Sequence, residues 1–341
     1  MRKDAKIGLL NFNYSFLSGD HSMHRWADCF REIAGCDMLN YEQAKHYSGD
    51  IIICLNGRPD LPEHVPPKEF HGLKLCHVMD SVFQATKAYN ALKENKVDFI
   101  LAYNRHDLYD QFFKTYYKDY INKVIPIPFG FNDYRFHSEV PFSKRINKCV
   151  GLGSVNPIND PLCGPDIEDF KTFFKDEPYM HRWRKKLVDN KEQLSTVMDS
   201  MFPEPPLTKD FSYDILRAYN NYQMFTTCES LMNYPSVKTF EGMACGTVFV
   251  GNKNACYEDI GFRNNANCIL HKYEDLNDFK EVIEYYQQNP DTLKVVSENG
   301  MQLMKDNFAP DRIAWRLYKK IRILSEHKTT DLAVLIPDNF I

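Results

Sequence analysis

Short apolar runs alternate along this chain with longer stretches of helical periodicity, and this alternation limits the fold more than any other feature. The first half contains five such runs, at residues 6–12, 50–56, 73–79, 98–104 and 123–129. Apolar runs of this length, without a polar residue at every second position, are typical of strands buried on both faces. Helices are predicted between them at 22–33, 82–94 and 105–120. The pattern therefore predicts an α/β protein with a parallel sheet.

The same pattern starts again after a polar stretch, DYRFHSEVPFSKRINK. Further strands are predicted at 149–155, 222–228, 247–252 and 267–273, and further helices at 180–194, 237–245, 276–288, 290–306 and 310–327. A chain of 341 residues is longer than one ordinary core of about 150 residues. We therefore predict two domains, 1–136 and 147–309, a linker at 137–146, and a last helix with its tail at 310–341.

The charge balance argues against a nucleic-acid partner. The formal net charge is −4 at pH 7, whereas binding to DNA or RNA phosphates needs a surplus of cations. No apolar run reaches the roughly 20 residues of a membrane span, and the N-terminus has no signal-peptide core. These features predict a cytoplasmic protein. The apolar tail at 332–341 is predicted to dock on the core, and a peripheral contact with a membrane or a partner is the alternative.

Ten cysteines are present, but none forms a C-x-x-C pair or lies near a histidine at zinc-finger spacing. Such spacing is the usual sequence sign of a zinc site. Most of the cysteines lie inside apolar stretches, where a free thiol behaves as a small core residue. The sequence therefore predicts no metal site.

The segment YPSVKTFEGMACGTVFV, residues 234–250, predicts a helix that begins just after a strand and a turn. A helix start presents unpaired N–H groups and a positive dipole end to a phosphate. We predict a donor site formed by Tyr234, Ser236, Val237, Lys238, Thr239 and Glu241. In it, the backbone at 236–238 and the Lys238 ammonium hold a pyrophosphate, while Glu241 accepts hydrogen bonds from a ribose. The alternative is an exposed i, i+3 ion pair on a helix surface.

A glycine-rich turn and a basic helix extend this predicted site. Gly153 and Ser154 follow the strand at 149–155, and glycine allows a phosphate or sugar to approach the backbone closely. Four basic residues come later, namely Arg182, Arg184, Lys185 and Lys186. A solvated helix face explains most of them, and Arg182 is the predicted contact to the diphosphate.

In the first domain, His77 and Asp80 lie at the end of the third predicted strand, where open α/β sheets bind ligands. Asp80 is the candidate general base for an acceptor hydroxyl, and His77 is the candidate that orients it. The alternative for Asp80 is an N-cap of the helix that follows. The polar loop with Asn13, Ser18, Asp20 and His21 is a candidate acceptor surface by position alone.

Residues 238–246, KTFEGMACG, with the strand TVFVGN and the segment YEDIGF after them, resemble the donor-binding segment of GT-B glycosyltransferases. The likeness is to the group 1 type and to its spore-maturation-like subgroup. Lys238, Phe240, Glu241, Ala244 and Gly246 match the residues that open the helix carrying the nucleotide sugar. CVGLGS with His181 and Arg182, and IPFGFNDYRF at 127–136, are also similar to the family. The resemblance covers 145–325 closely and 1–136 in outline.

The resemblance implies two facing Rossmann-like domains with a C-terminal helix that crosses back. It also implies transfer of a sugar from a nucleotide-diphosphate sugar, such as a UDP-sugar, to an acceptor hydroxyl, with retention of configuration. The donor is a substrate, and no cofactor or metal is expected, because cations and a helix dipole stabilise the leaving diphosphate. A surface or lipid-linked glycan is the expected acceptor, and a protein, a small metabolite or DNA is the alternative.

One departure from the family pattern stands eight residues before Glu241. Many members have a glutamate there that contacts the donor sugar or phosphate, whereas this chain has Asn233, with Glu229 in a different register. Two other functions stay open on the sequence alone. An NAD-dependent oxidoreductase would need a G-x-G-x-x-G after the first strand, which this chain lacks. A non-catalytic sugar or nucleotide binding module would explain Asn233 as lost chemistry.

Overall fold

The computed structural model describes residues 5–10, 22–55, 57–155, 157–159, 165–202 and 214–327. The described residues divide into two compact units, one holding 5–128, 165–175 and 310–327 and the other holding most of 129–309. Each unit is built on a parallel sheet with helices, so the predicted α/β class is confirmed. The loop at 11–21 and the tail at 332–341, both discussed above, lie outside the described residues.

The first unit is built on a six-stranded parallel sheet in the order β2-β1-β3-β4-β5-β6. Its strands are β1 (Ile7–Leu10), β2 (Asp37–Leu39), β3 (Ile51–Cys54), β4 (Leu73–His77), β5 (Phe99–Ala102) and β6 (Val124–Pro126). The connecting helices are α1 (Ser22–Ala34), α2 (Tyr41–Lys45), α3 (Ala85–Glu94), α4 (His106–Tyr109) and α5 (Gln111–Tyr116). All four residues of β1, β3 and β5 are buried, as expected for strands covered on both faces.

Two features of this unit differ from the prediction. The helix expected at 105–120 is divided at Asp110, whose carboxylate accepts hydrogen bonds from the Phe112 and Phe113 amides and so caps a new helix, α5. The edge strand β2 was not predicted, because its three residues, Asp37–Leu39, are only partly buried or exposed and form no apolar run.

The second unit has a five-stranded parallel sheet in the order β11-β10-β9-β7-β8. Its strands are β7 (Ile146–Gly151), β8 (Met198–Ser200), β9 (Tyr222–Thr226), β10 (Val248–Asn252) and β11 (Ile269–His271). Its helices are α7 (Arg182–Asp189), α8 (Ile215–Asn221), α9 (Val237–Ala244), α10 (Ala255–Glu258), α11 (Leu276–Gln288) and α12 (Pro290–Leu303). The chain reverses direction across the sheet between β7 and β9, and open α/β sheets bind ligands beyond the carboxyl ends of such a strand pair.

Two segments of the chain belong to the first unit although they follow it in sequence. The last helix, α13 (Pro310–His327), packs against α1, in line with a C-terminal helix that crosses back. Helix α6 (Glu168–Phe173) also groups with this unit, because Phe170 packs edge-to-face on Phe112 of α5. The predicted boundaries placed α6 in the second domain, since nothing in its local sequence shows which core its aromatic side chains join.

The predicted linker at 137–146 is fixed to the second unit by Arg145. Its side chain is 5% exposed, and the guanidinium donates hydrogen bonds to the carbonyl oxygens of Val140, Tyr219 and Cys245 at 2.9, 3.3 and 2.8 Å. A buried guanidinium requires such acceptors, because it stays protonated and charged even away from water. The segment is therefore an integral part of this unit, and its last residue, Ile146, begins β7.

Candidate active site

Helix α9 begins at the carboxyl end of β9 and is held by the strand and helix beneath it. Ser236 is its N-cap residue, but the Ser236 hydroxyl makes no capping hydrogen bond. The Tyr219 hydroxyl donates to the Lys238 carbonyl oxygen at 3.1 Å. Gly242 lets the helix approach the sheet closely, since a Cβ there would lie 2.5 Å from Phe225 Cζ. The first turn, with its N–H groups, is thus held in a fixed position.

Lys238 lies in this first turn among other ionisable side chains. Burial and the positive charge of Arg184 lower the pKa of Lys238 to about 8, while the negative charge of Glu241 opposes the shift. Burial, Arg184 and Lys238 together hold the pKa of His181 well below its ordinary value, so this ring is neutral at pH 7. Two cations and a neutral imidazole therefore lie close together at the start of α9, which is an arrangement that an anion stabilises.

The glycine-rich turn after β7 is held in place by the side chain of Arg184. The Arg184 guanidinium is 2% exposed and donates to the Ser154 carbonyl oxygen at 3.0 Å and to the Thr227 hydroxyl at 2.8 Å. Gly153 has φ +112, and a Cβ there would lie 2.7 Å from Arg184 Cζ. Only glycine fits this position. The turn, β9 and the cationic group thus form one site at the reversal point of the sheet.

Arg182, the arginine that the sequence favoured, is engaged by neighbouring acidic side chains. Its side chain is 40% exposed and forms ion pairs with Glu177 at 3.0 Å and Glu274 at 3.4 Å. It also donates to the Tyr273 hydroxyl at 3.2 Å. The structure therefore puts Arg184 beside Lys238, although Arg184 was interpreted as part of a solvated helix face. Residues two positions apart in a helix lie about 200° apart around its axis, so Arg184 is buried where Arg182 is exposed.

Glu241 is 7% exposed, one turn inside α9 from Lys238. An exposed surface ion pair, the alternative considered above, is therefore excluded. The hydroxyl oxygens of Ser236 and Thr239 are also buried, and neither has a hydrogen-bond partner within the part of the chain that the structure describes. Buried hydroxyl groups are normally paired, so these two are candidates for contact with a ligand.

Val237, the first residue of α9, and Tyr234 complete the predicted donor residues. Both are partly buried, and the Tyr234 ring lies 6.3 Å from that of Phe129. The structure thus brings together the predicted residues 234–241 and the turn at 153–154 in one unit. Arg184, His181 and Glu229 were not among the predicted donor residues. The residues that they contact are far from them in the sequence, so no local pattern indicated their role.

Glu229 is a buried carboxylate in the loop between β9 and α9, with 5% of its surface exposed. One carboxylate oxygen accepts hydrogen bonds from the amides of Asn252 at 3.1 Å and Asn254 at 3.4 Å, and the other accepts from the Tyr257 hydroxyl at 3.1 Å. Burial raises the pKa of Glu229, and these three donors oppose the shift. The Asn254 amide also donates to Asn233 Oδ1 at 3.0 Å.

A small cavity of about 50 Å³ lies beside this network. It is lined by residues from α7 and from the loops that follow β9, β10 and β11, among them Arg182, Glu229, Asn233, Asn252, Tyr273 and Glu274. Met180 also lines the cavity, and Met180 and Arg182 flank His181 in the sequence. The cavity therefore lies beside the segment that carries His181 and Arg184, next to the cationic cluster formed by Arg184 and Lys238.

The structure does not support His77 as a group that orients an acceptor. His77 is completely buried, its Nδ1 lies 3.4 Å from the Leu55 carbonyl oxygen, and its ring packs against Trp26 and Tyr103. Burial lowers the pKa of His77 to about 4. The residue belongs to the core because the side chain of the last strand residue points into the helix layer and away from the open edge of the sheet.

Asp80 is partly buried in the loop that follows β4. Its backbone oxygen accepts a hydrogen bond from the Phe83 amide at 3.3 Å. Helix α3 begins only at Ala85, with Gln84 as its N-cap residue, so Asp80 does not cap this helix. Its place near the carboxyl end of β4 agrees with a contact to a ligand.

Within the described residues, no group of three or more His, Cys, Asp or Glu side chains has an arrangement that could hold a metal ion. None of the described helices combines the length and the apolar character that crossing a bilayer requires.

Comparison with known proteins agrees with this geometry. Residues 208–318, which include β9, α9 and β10, match the family model described as glycosyl transferase-like. No curated protein matches the chain in sequence. The solved structure of Anabaena HepE in complex with UDP and glucose is 11% identical, with a TM-score of 0.53, over 94% of this chain and 100% of HepE.

Two other solved structures are similar at lower scores. Sucrose-phosphate synthase from Thermosynechococcus elongatus is 15% identical with a TM-score of 0.49, over 83% of this chain and 75% of the synthase. A glycosyltransferase from Rickettsia africae is 13% identical with a TM-score of 0.49, over 96% of this chain and 100% of that chain. The two parallel sheets and the likeness to HepE define the GT-B fold. The matched segment is similar to glycosyltransferases, and it contains helix α9 with Lys238 and Glu241.

Proposed function

We propose that this protein is a glycosyltransferase that moves a sugar from a nucleoside-diphosphate sugar to a hydroxyl group of a glycan. The observation that carries the proposal is the pair of cations, Lys238 and Arg184, at the start of α9, with the buried Glu241 one turn inside the same helix. The three groups fit the parts of one ligand, with the diphosphate at the cations and the ribose at the carboxylate. HepE, solved with UDP and glucose, supports UDP as the nucleotide.

Sugar transfer passes through a transition state with oxocarbenium character, in which negative charge develops on the departing diphosphate. Lys238, the first-turn amides of α9 and the Ser236 hydroxyl are the groups of this chain that would stabilise that charge. Arg184 adds a second positive charge and supports the turn at Gly153. These groups are fixed by the fold before the ligand binds, so little reorganisation is required during the reaction.

The stereochemistry and the acceptor are further parts of this proposal. The similarity of the donor segment to group 1 glycosyltransferases favours retention of configuration and a surface or lipid-linked glycan as acceptor. Asp80 is proposed as the residue that receives the proton of the acceptor hydroxyl. A donor phosphate oxygen can also accept this proton in a retaining reaction.

The leaving diphosphate is proposed to need no metal ion, because Lys238, Arg184 and the α9 dipole already supply positive charge. We expect sugar transfer in excess EDTA at close to the rate without chelator, measured as nucleotide release with acceptor present. Calcium-saturated EDTA is the matched control for effects of the chelator itself. A complete loss of activity that Mn²⁺ or Mg²⁺ restores would contradict this part of the proposal.

Glu241→Gln tests the donor site as a whole. The substitution keeps the shape of the side chain and removes its charge, so binding of a nucleoside-diphosphate sugar is expected to weaken by about 1.5 to 3 kcal/mol, the scale of a hydrogen bond to a charged group. Isothermal titration measures this change, and an unchanged midpoint of thermal unfolding shows that the fold is intact. Glu298→Gln, on the exposed face of α12, is the control. Equal affinities in the wild type and in Glu241→Gln would remove Glu241 from the site.

A further inference from the structure

The loop between β9 and α9 leads into the helix start, so the chain passes from this loop to Lys238 and then to Glu241. With the ribose at Glu241 and the diphosphate at Lys238, the next part of a linear ligand, the transferred sugar, reaches this loop. Asn233 lies in the loop three residues before Ser236, and its backbone is left-handed, with φ +53. Asparagine tolerates this conformation better than most residues. The left-handed backbone at this position is therefore compatible with asparagine.

The orientation of Asn233 depends on a chain of hydrogen bonds that ends at Glu229. Asn254 donates to Asn233 Oδ1 at 3.0 Å and to Glu229 Oε1 at 3.4 Å. Glu229 is fixed in turn by Asn252 and by the buried Tyr257 hydroxyl. The Asn252 side chain also accepts from the Glu274 amide at 2.9 Å. The network therefore joins the loops after β9, β10 and β11 around the cavity next to the cationic cluster.

We infer that Glu229 is a positioning residue for the transferred sugar, acting through Asn254 to orient the Asn233 amide toward the sugar hydroxyl groups. The inference rests on the proposed function. A carboxylate is suited to this task because it accepts from several donors at once. Asn233 then presents an amide, which both donates and accepts, to a polyhydroxylated ligand.

Two substitutions isolate this role. Asn254→Ser keeps an N-cap for α10, since serine replaces the asparagine bond to the Cys256 amide, but it is too short to join Glu229 to Asn233. Glu229→Gln keeps an acceptor for both asparagine amides, whereas Glu229→Ala removes it. The readouts are the Kd for free UDP, the Kd for UDP-glucose, and kcat with a glycan acceptor.

For Asn254→Ser and Glu229→Ala we expect kcat to fall by about 10- to 100-fold, the scale of a misplaced reacting group. We expect the Kd for UDP-glucose to rise about tenfold and the Kd for UDP to stay within about twofold of the wild type. Glu229→Gln is expected to restore most of kcat. Thermal unfolding identifies any variant that does not fold, and Asn254→Ser, at a less buried position, carries the test if Glu229→Ala fails.

Wild-type kcat in Asn254→Ser, or equal weakening of UDP and UDP-glucose, would overturn the inference. Equal weakening would mean that the network supports α9 as a whole and not the sugar alone. Failure of the proposed function has a different signature, because Glu241→Gln would then leave the Kd for UDP-glucose unchanged.

Discussion

Lys238→Ala is expected to weaken binding of a free nucleoside diphosphate by about 2 to 4 kcal/mol, which is roughly 30- to 1,000-fold in Kd. The size follows from the partial burial of Lys238 at the start of α9. A desolvated ammonium that contacts a phosphate contributes more than an exposed one, and its removal leaves the phosphate charge to Arg184 and the helix dipole. Lys294→Ala is the matched control, since Lys294 is 58% exposed and pairs with Glu298 on the surface of α12. Titration calorimetry on the wild type and both variants measures the difference.

The pH dependence gives a second measure of the same contact. Burial and Arg184 lower the pKa of Lys238 to about 8 in the free protein, and a bound diphosphate would raise it by favouring the charged form. The affinity for the nucleoside diphosphate should therefore be highest below about pH 8, where Lys238 is charged. It should fall as the pH rises above about 8, by up to tenfold per pH unit. Lys238→Ala should lose this slope. The comparison between the two proteins cancels the titration of the ligand. A slope that persists in the variant would assign the effect to another group.

The sequence predicted the donor helix well because its signals are local. The residues Pro235, Ser236 and Gly246 mark its limits, and the spacing of Lys238 and Glu241 is set by one helical turn. The structure agrees, with α9 from Val237 to Ala244. Both parallel sheets were predicted for a similar reason, since each central strand is a continuous apolar run.

The sequence could not show which distant side chains support the donor helix. Arg184 and Glu229 become important only when β9 lies between β7 and β10, and the pairing of β7 with β9 joins residues up to 76 positions apart. Arg182 and Arg184 are only two positions apart in the sequence, yet Arg182 is 40% exposed and Arg184 is 2% exposed. About 200° around the helix axis separates them, and only the packing of α7 on the rest of the unit decides which of them points inward.

His77 illustrates the same limit in the first unit. The end of a strand in an open sheet is a good place to look for ligand contacts, and both His77 and Asp80 satisfy that rule by position. Side-chain direction alternates along a strand, and this alternation sends His77 into the core between Trp26 and Tyr103. Asp80 comes three residues after the end of β4, so the alternation of side chains along the strand does not fix the direction of its carboxylate.

Asp80→Asn is expected to lower turnover by about 10²- to 10⁴-fold, the range for losing a general base. Asparagine keeps the size and hydrogen-bonding geometry of the side chain but cannot take a proton from an acceptor hydroxyl. The Kd for the free nucleotide should stay unchanged, because the residues proposed for nucleotide binding all lie in the second unit. Asp119→Asn is the control, since Asp119 is an exposed aspartate of the first unit that bonds to Tyr89 and Lys93.

The measurements are steady-state kcat with saturating donor and acceptor, and nucleotide titration, on Asp80→Asn, Lys238→Ala and the controls. The two variants should show opposite patterns, with Asp80→Asn losing kcat at constant nucleotide affinity and Lys238→Ala losing nucleotide affinity first. A loss below about tenfold in Asp80→Asn would assign the proton to a donor phosphate oxygen and leave Asp80 a positioning role. Loss of nucleotide binding in Asp80→Asn, with full binding in Lys238→Ala, would mean that the donor and acceptor assignments of the two units are reversed.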